Sequence, residues 1–321
     1  MSTASLGASI SVAGIALLGG GLICAQDNPT KPIRVMTSPP GGGSDFVARQ
    51  VAQGISGPLG QQVIIENRPG GTFAGEAVSR AAADGYTLIY YGSALWLLPL
   101  MRKEVPYDTV RDFAPITLAS TQPNVLVVHP TLPVKSARDL VALAKARPGE
   151  LNYAAGGSGS SGHLAAELFK SLAKVNIVRI PYKGQGPATM DLVAGQVQLT
   201  FGTTGSVGAH IKSGRLRALA VTTAEPSALV PGLPTIAASG VAGYEAAQLS
   251  GILAPAKTPQ AVINRLNQEI VRFLTRSEIK ERLFNTGVEA AGSTPEDFGN
   301  KIKSEIARMG KVIRDANIRD E

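Results

Sequence analysis

Residues 39–45, Pro-Pro-Gly-Gly-Gly-Ser-Asp, constrain the fold of this chain more than any other stretch. They follow a strand-like run, Ile33-Arg34-Val35-Met36. They precede a helix-like run with apolar Phe46, Val47, Val51 and Ile55. A glycine cluster between strand and helix bares backbone N–H groups at a helix N-terminus, a geometry that holds anions without a positive side chain. Ser44 or Asp45 is placed to be the N-cap. The same pattern also serves as a plain tight βα turn.

The alternation continues along the chain. Strand candidates are Ile33–Met36, Val63–Glu66, Thr87–Tyr91, Ile116–Ala119, Val125–Val128, Leu151–Ala154, Ile177–Ile180, Val197–Phe201, Leu216–Thr222 and Gln248–Leu253. Helical patterns fall at Ser44–Ser56, Gly75–Ala83, Leu140–Ala146, His163–Ala173, Ala188–Ala194 and Val207–Ser213. Two more open at Thr258-Pro259 and Thr294-Pro295, the last with Phe298, Ile302, Ile306 and Ile313 on one face. Strands alternating with helices predict α/β lobes with mostly parallel sheets. The break at Thr121-Gln122-Pro123 and the Pro-rich stretch Pro226–Pro234 divide the pattern. The reading gives two domains, one from 26–123 and 247–321, the other from 124–246, with a hinged ligand cleft between them.

The first 25 residues read as a signal peptide. Ser9 to Ala25 carries no charge, and Ile23-Cys24-Ala25 is an acceptable cleavage site. The segment before it lacks Lys and Arg. Gly19–Gly21 make it a poor membrane anchor. Cleavage near Ala25 sends the protein to the periplasm and removes Cys24, the single cysteine, so no disulfide is expected.

A net charge of +7 raises the question of nucleic acid. Lys and Arg are scattered, however, and no basic-aromatic interleaving occurs, which excludes a nucleic-acid partner. No H-E-x-x-H, C-x-x-C or carboxylate-rich loop offers a metal site. Gly157-Ser158-Gly159-Ser160-Ser161-Gly162 fits G-x-G-x-x-G, but no acidic residue stands about 20 positions on, where a dinucleotide ribose needs one. A second anion-cradling loop, facing the first across the cleft, is the stronger reading. A hydrolase using Ser160 or Ser161 with His163 is the alternative, although no G-x-S-x-G elbow is present. Trp96 reads as core, with a ligand-platform role left open. Tyr91-Gly92-Ser93, Tyr182 and Phe201-Gly202-Thr203-Thr204 end strands, where open α/β sheets face their crevice.

Several motifs stand together in order. They are Lys31-Pro32-Ile33-Arg34, Pro39 to Asp45, Val63-Ile64-Ile65-Glu66-Asn67-Arg68-Pro69-Gly70-Gly71, Asp84-Gly85-Tyr86-Thr87-Leu88, Asp112-Phe113-Ala114-Pro115, Pro123-Asn124-Val125-Leu126 and Leu151-Asn152-Tyr153. They continue with His163-Leu164-Ala165-Ala166-Glu167-Leu168-Phe169, Pro181-Tyr182-Lys183-Gly184, Leu216-Arg217-Ala218-Leu219-Ala220-Val221 and Leu253-Ala254-Pro255-Ala256. Over essentially the whole mature chain this resembles the Bug family, the periplasmic solute receptors of tripartite tricarboxylate transporters.

The resemblance implies a type II periplasmic-binding-protein fold, a small carboxylated ligand and membrane permease subunits as partners. It implies a monomer with no catalytic residue, no metal and no organic cofactor. The ligand would be held by backbone amides and hydroxyls of Gly42, Gly43, Ser44 and Asp45, and of Ser158, Ser160 and Ser161. Ser38, Ser93, Tyr182, Thr203 and Thr204 complete the expected site. Ser38 stands where the family often has an aromatic. Gly202-Thr203 stand where it often has Asp-Asn, which argues against a ligand bearing an ammonium group.

Overall fold

The structure is a computed structural model that describes Met1 and residues 29–38, 43–68, 70–156, 159–182 and 184–319. The signal-peptide reading therefore falls almost wholly outside the described residues.

The first lobe begins β1 (Ile33–Thr37), α1 (Gly43–Leu59), β2 (Val63–Asn67), α2 (Gly70–Ser79), β3 (Thr87–Gly92) and α3 (Ala94–Met101). It continues with the short α4 (Thr109–Asp112) and β4 (Phe113–Gln122). The second lobe follows at once with β5 (Asn124–Val128), α5 (Ala137–Ala146), β6 (Asn152–Ala155) and α6 (Ser161–Ala173). It is completed by β7 (Val178–Pro181), α7 (Gln185–Val193), β8 (Leu199–Thr203), α8 (Thr204–Lys212) and β9 (Arg217–Val221). The chain then returns to the first lobe as β10 (Gln248–Pro255), α9 (Gln260–Leu274), α10 (Ser277–Phe284), β11 (Glu289–Ala290) and α11 (Pro295–Asp315).

The strands form a six-stranded sheet, β11-β4-β10-β3-β1-β2, and a five-stranded sheet, β7-β6-β8-β5-β9. Each contains a parallel trio, β3-β1-β2 and β7-β6-β8. The strands that arrive from the other lobe, β5 and β10, pair antiparallel with their neighbours. The parallel pairing read from the alternation thus describes the trios. A strand entering straight across the hinge, with no crossover helix before it, has no need to run parallel.

Side-chain alternation along the central strands assigns the two faces. In β3, Leu88 and Tyr90 join one cluster with Val47, Val51 and Ile55 of α1 and Leu266 and Ile270 of α9. Ile89 and Tyr91 point the other way, into a cluster with Trp96, Phe298, Ile302 and Met309. That second cluster runs on into the other lobe through Leu126, Tyr153, Phe169 and Phe201. The outer face of the second lobe has its own cluster around Val125, Val127, Leu192 and Val207. Both faces of both sheets are thereby covered, which accounts for the unbroken burial of β3 and β5.

Two close approaches require glycine. Gly251 in β10 lies against Phe298 of α11, where a Cβ would lie 2.5 Å from the Thr117 carbonyl oxygen and 2.4 Å from Phe298 Cζ. Gly159 has φ +74°, in the left-handed region, and a Cβ there would lie 2.8 Å from the Met101 methyl carbon. Met101 belongs to the first lobe and Gly159 to the second, so the second glycine-rich loop already touches the end of α3.

The crossings run side by side. Gln122, the last residue of β4, pairs with Gln248, the first of β10. Immediately beyond, the Thr222 N–H donates to the Asn124 carbonyl at 3.0 Å, and the Asn124 N–H donates to Thr222 Oγ1 at 2.9 Å. Among the described residues no helix is long and apolar enough to cross a membrane.

Candidate functional site

Between the lobes lies a cavity of about 250 Å³. From the first lobe it is lined by Ser44, Tyr91, Gly92, Ser93, Ala94, Leu97, Glu305 and Met309. From the second come Gly159, Ser160, Ser161, Leu164 and Ala165, and from the returning segment Ala246, Ala247 and Gln248. A larger cavity of about 650 Å³ lies elsewhere, on the outside of the first lobe between Tyr86 and the start of α9. It draws no residue from the second lobe, so it lacks the two-sided enclosure that a hinged receptor uses.

The interlobe cavity collects helix N-termini because strands of both sheets end toward it and helices begin there. α1 starts at Gly43, α3 at Ala94 and α6 at Ser161. The first-turn N–H groups of a helix have no partner within the helix, and the macrodipole adds roughly half a positive charge. Ser160 caps α6: its Oγ accepts from the His163 N–H at 3.4 Å. Among the described residues that line the cavity there is no Lys, Arg or His.

The expected site residues separate into groups. Ser44, Ser93, Ser160 and Ser161 come together on this cavity, half-buried. Gly43 opens α1 beside Ser44. Gly42 and Ser158 lie outside the described residues. Asp45 is not an N-cap and does not line the cavity: it sits in the first turn of α1, buried. Its carboxylate accepts from Asn67 Nδ2 at 2.7 Å and pairs with Arg49 at 3.0 Å. Ser44 is likewise inside the helix rather than capping it, since α1 begins at Gly43. Ser38 offers its carbonyl to Asn67 Nδ2 at 2.6 Å. Asn67 thus ties the end of β1 to the start of α1.

Tyr182, Thr203 and Thr204 do not reach the cavity in this structure. The Tyr182 hydroxyl donates to Asp191 at 2.8 Å. Thr203 Oγ1 donates to Ser206 Oγ at 3.2 Å, and Thr204 Oγ1 to the Gly287 carbonyl of the first lobe at 2.9 Å. They lie at strand ends as expected, but β7 is an edge strand, and the three side chains are engaged with Asp191, Ser206 and Gly287 instead.

His163 is buried just behind the second glycine-rich loop. Its Nδ1 accepts the Gly159 N–H at 3.1 Å. Burial, then the nearby Arg179 charge, pushes its pKa down to about 4, with Glu167 opposing. A neutral ring with Nδ1 engaged by backbone is an acceptor for the loop, not a base for serine. Ser160 Oγ accepts from the His163 backbone N–H rather than pairing with its ring, and the Ser161 hydroxyl lies 3.5 Å from Asn124 Oδ1. The Ser–His arrangement of the hydrolase alternative is not formed.

Trp96 is core, as its sequence context implied: it is buried in the wall behind the cavity, and its Nε1 donates to Glu305 Oε2 at 2.8 Å. The residue that escaped the sequence reading is Glu305. Glu305 itself lines the cavity from α11. The signal was present: Phe298, Ile302, Met309 and Val312 make the buried stripe, and Glu305 falls on it at helical spacing. Burial pushes its carboxyl up, opposed by the Trp96 and Ser93 hydrogen bonds and the Arg308 charge.

Two α/β lobes joined by paired crossings, with helix N-termini converging on the space between them, define a solute receptor of the periplasmic-binding-protein type. The chain belongs to the tripartite tricarboxylate transporter family receptors, whose family model, TctC, matches residues 47–318. Members of that family are substrate-binding receptors for transporters, not enzymes. Protein BugT of Bordetella pertussis is 36% identical over 318 residues, covering 97% of this chain and 96% of BugT. A solved R. palustris protein, Rpa4515 with adipate, is 36% identical with a TM-score of 0.75, covering 91% of this chain and 99% of the other. MatC from Rhodopseudomonas palustris with bound malate is 29% identical with a TM-score of 0.71, over 89% of this chain and 99% of MatC.

Proposed function

We propose that this chain is a periplasmic receptor that captures a small carboxylate in its interlobe cavity and delivers it to the permease of a tripartite transporter. The observation that carries this reading is the convergence of the α1, α3 and α6 N-termini on one cavity that Ser44, Ser93, Ser160 and Ser161 line and to which no described residue contributes a cationic side chain. Such a site suits an anion small enough to be wrapped by backbone donors. The adipate and malate held by two relatives of the same fold support the ligand class. Gly42 and Ser158 extend the proposed site along its two loops. The domains are taken as 26–123 with 247–321, and 124–246. Residues 1–25 are removed on export, and the receptor acts as a monomer without metal or organic cofactor.

A thermal-shift screen over mono-, di-, tri- and aromatic carboxylates tests the reading, because a ligand that binds only the folded state raises its melting temperature. At a hundredfold excess over Kd the stabilisation is about 2.7 kcal/mol. No shift with any acid would overturn it. Intact mass of the periplasmic protein should begin near Gln26.

A further inference from the structure

Glu305 is the one carboxylate lining the interlobe cavity among the described residues, and capture of an anion gives it no task. It is 6% exposed, in the middle of the apolar stripe of α11. A carboxylate there is costly unless hydrogen bonds compensate it. Two side chains do so in part. Ser93 Oγ lies 2.9 Å from Oε1 and 3.1 Å from Oε2, and Trp96 Nε1 lies 2.8 Å from Oε2. Ser93 has one proton to give, so it serves one oxygen at a time. An ionised carboxylate accepts about four hydrogen bonds, which leaves acceptor capacity at the wall. Arg308, one turn on along the same helix, is bound to Glu245 at 2.7 Å.

A merely structural pin between α3 and α11 would not need to reach the cavity or to carry charge. We propose that Glu305 sets the chemistry of the remainder of the ligand: it selects a carboxylate that also bears a hydrogen-bond donor, a hydroxyl or an ammonium, and rejects one whose second carboxylate reaches it. This rests on the receptor reading above. It also revises the expectation drawn from Gly202-Thr203, because the acceptor missing from β8 is supplied by α11. Like charges in a desolvated cavity repel strongly, and an acceptor facing an acceptor leaves both unpaired.

The test is calorimetric titration of the mature exported chain and its Glu305→Gln variant at neutral pH. The probes are hexanoate, 6-hydroxyhexanoate, 6-aminohexanoate and adipate. The wild type should bind the hydroxy or the amino acid at least tenfold more tightly than adipate, and the stronger of the two identifies the donor. In Glu305→Gln that ratio should fall by tenfold or more. Should Glu305→Gln fail to fold, Glu305→Met, which continues the apolar stripe, carries the same comparison. If all four affinities move together, or the wild type prefers adipate, Glu305 is only a pin and the proposal is wrong. If no acid binds the wild type at all, the receptor reading fails first and takes this inference with it.

Discussion

The backbone N–H of Gly159 donates to Nδ1 of His163 at 3.1 Å, so the second glycine-rich loop is held from behind by a neutral imidazole. The loop depends on a side chain that keeps its proton off Nδ1.

That dependence predicts a pH effect on stability. The native His163 pKa is about 4, below the ordinary 6.5. Between those values the unfolded chain binds the extra proton and the native state does not, so stability falls as pH falls through the window. A shift of this size corresponds to about 3 kcal/mol. In urea unfolding, wild type should lose on the order of that much more than His163→Asn between pH 7 and pH 4. Parallel curves for the two proteins would show that the ring is protonated in the native state.

The Trp96–Glu305 hydrogen bond predicts a coupling. Trp96→Phe keeps the ring packed in the core but removes the N–H, leaving a buried carboxylate short of a donor. A hydrogen bond to a charged group is worth roughly 1.5–3 kcal/mol, and Trp96→Phe should cost about that in denaturant unfolding. In a Glu305→Gln background the cost should shrink by at least about 0.5 kcal/mol, as double-mutant cycles show for residues in contact. Strict additivity would mean the bond contributes nothing.

Gly159→Ala combines two penalties. A left-handed conformation costs an L-residue roughly 1–2 kcal/mol, and the new methyl meets the Met101 side chain. Melting should drop by several degrees. Affinity for the carboxylate chosen by the thermal-shift screen should fall as well, because the loop wall moves. Gly214→Ala, with φ +72° and open space around it, shares only the first penalty and should leave affinity unchanged.

Recognition by backbone dipoles predicts that no single cation decides affinity. Arg49 is engaged by Asp45 and Asn67, and Arg179 donates to the Gly156 carbonyl at 3.0 Å. Neither lines the cavity, and Lys183 lies outside the described residues. Alanine at Arg49, Arg179 or Lys183 should change Kd by less than about tenfold, or 1.4 kcal/mol. A hundredfold loss at any of them would make the site a conventional ion pair.

Much of the fold was legible because short apolar runs between turn residues, as in β1, β3 and β5, and the period-3.6 stripes of α9 and α11 leave different marks. α3 was not, since Leu95, Trp96, Leu97 and Leu98 are all buried and Pro99 interrupts the run. A helix that is apolar on every side has no periodicity to read. At the site, the serines that follow strands were legible from their place in the βα units. Glu305 was not: it arrives from a helix more than 200 residues away in sequence from Ser93 and Trp96, and only the packed fold brings them together.

β10 is the middle of its sheet, flanked by β4 on one side and β3 on the other. Every strand of that sheet except β10 and β11 precedes the second lobe in the chain. A polypeptide emerging N-terminus first therefore carries two unjoined half-sheets, β3-β1-β2 and β4, until residue 255 has appeared. The second lobe, whose strands are contiguous in sequence, has no such wait. Folding during export should be staggered, the inserted lobe first, with the outer lobe exposing unpaired strand edges in the interval. Those edges, rather than the ligand cleft, are where a chaperone would be needed.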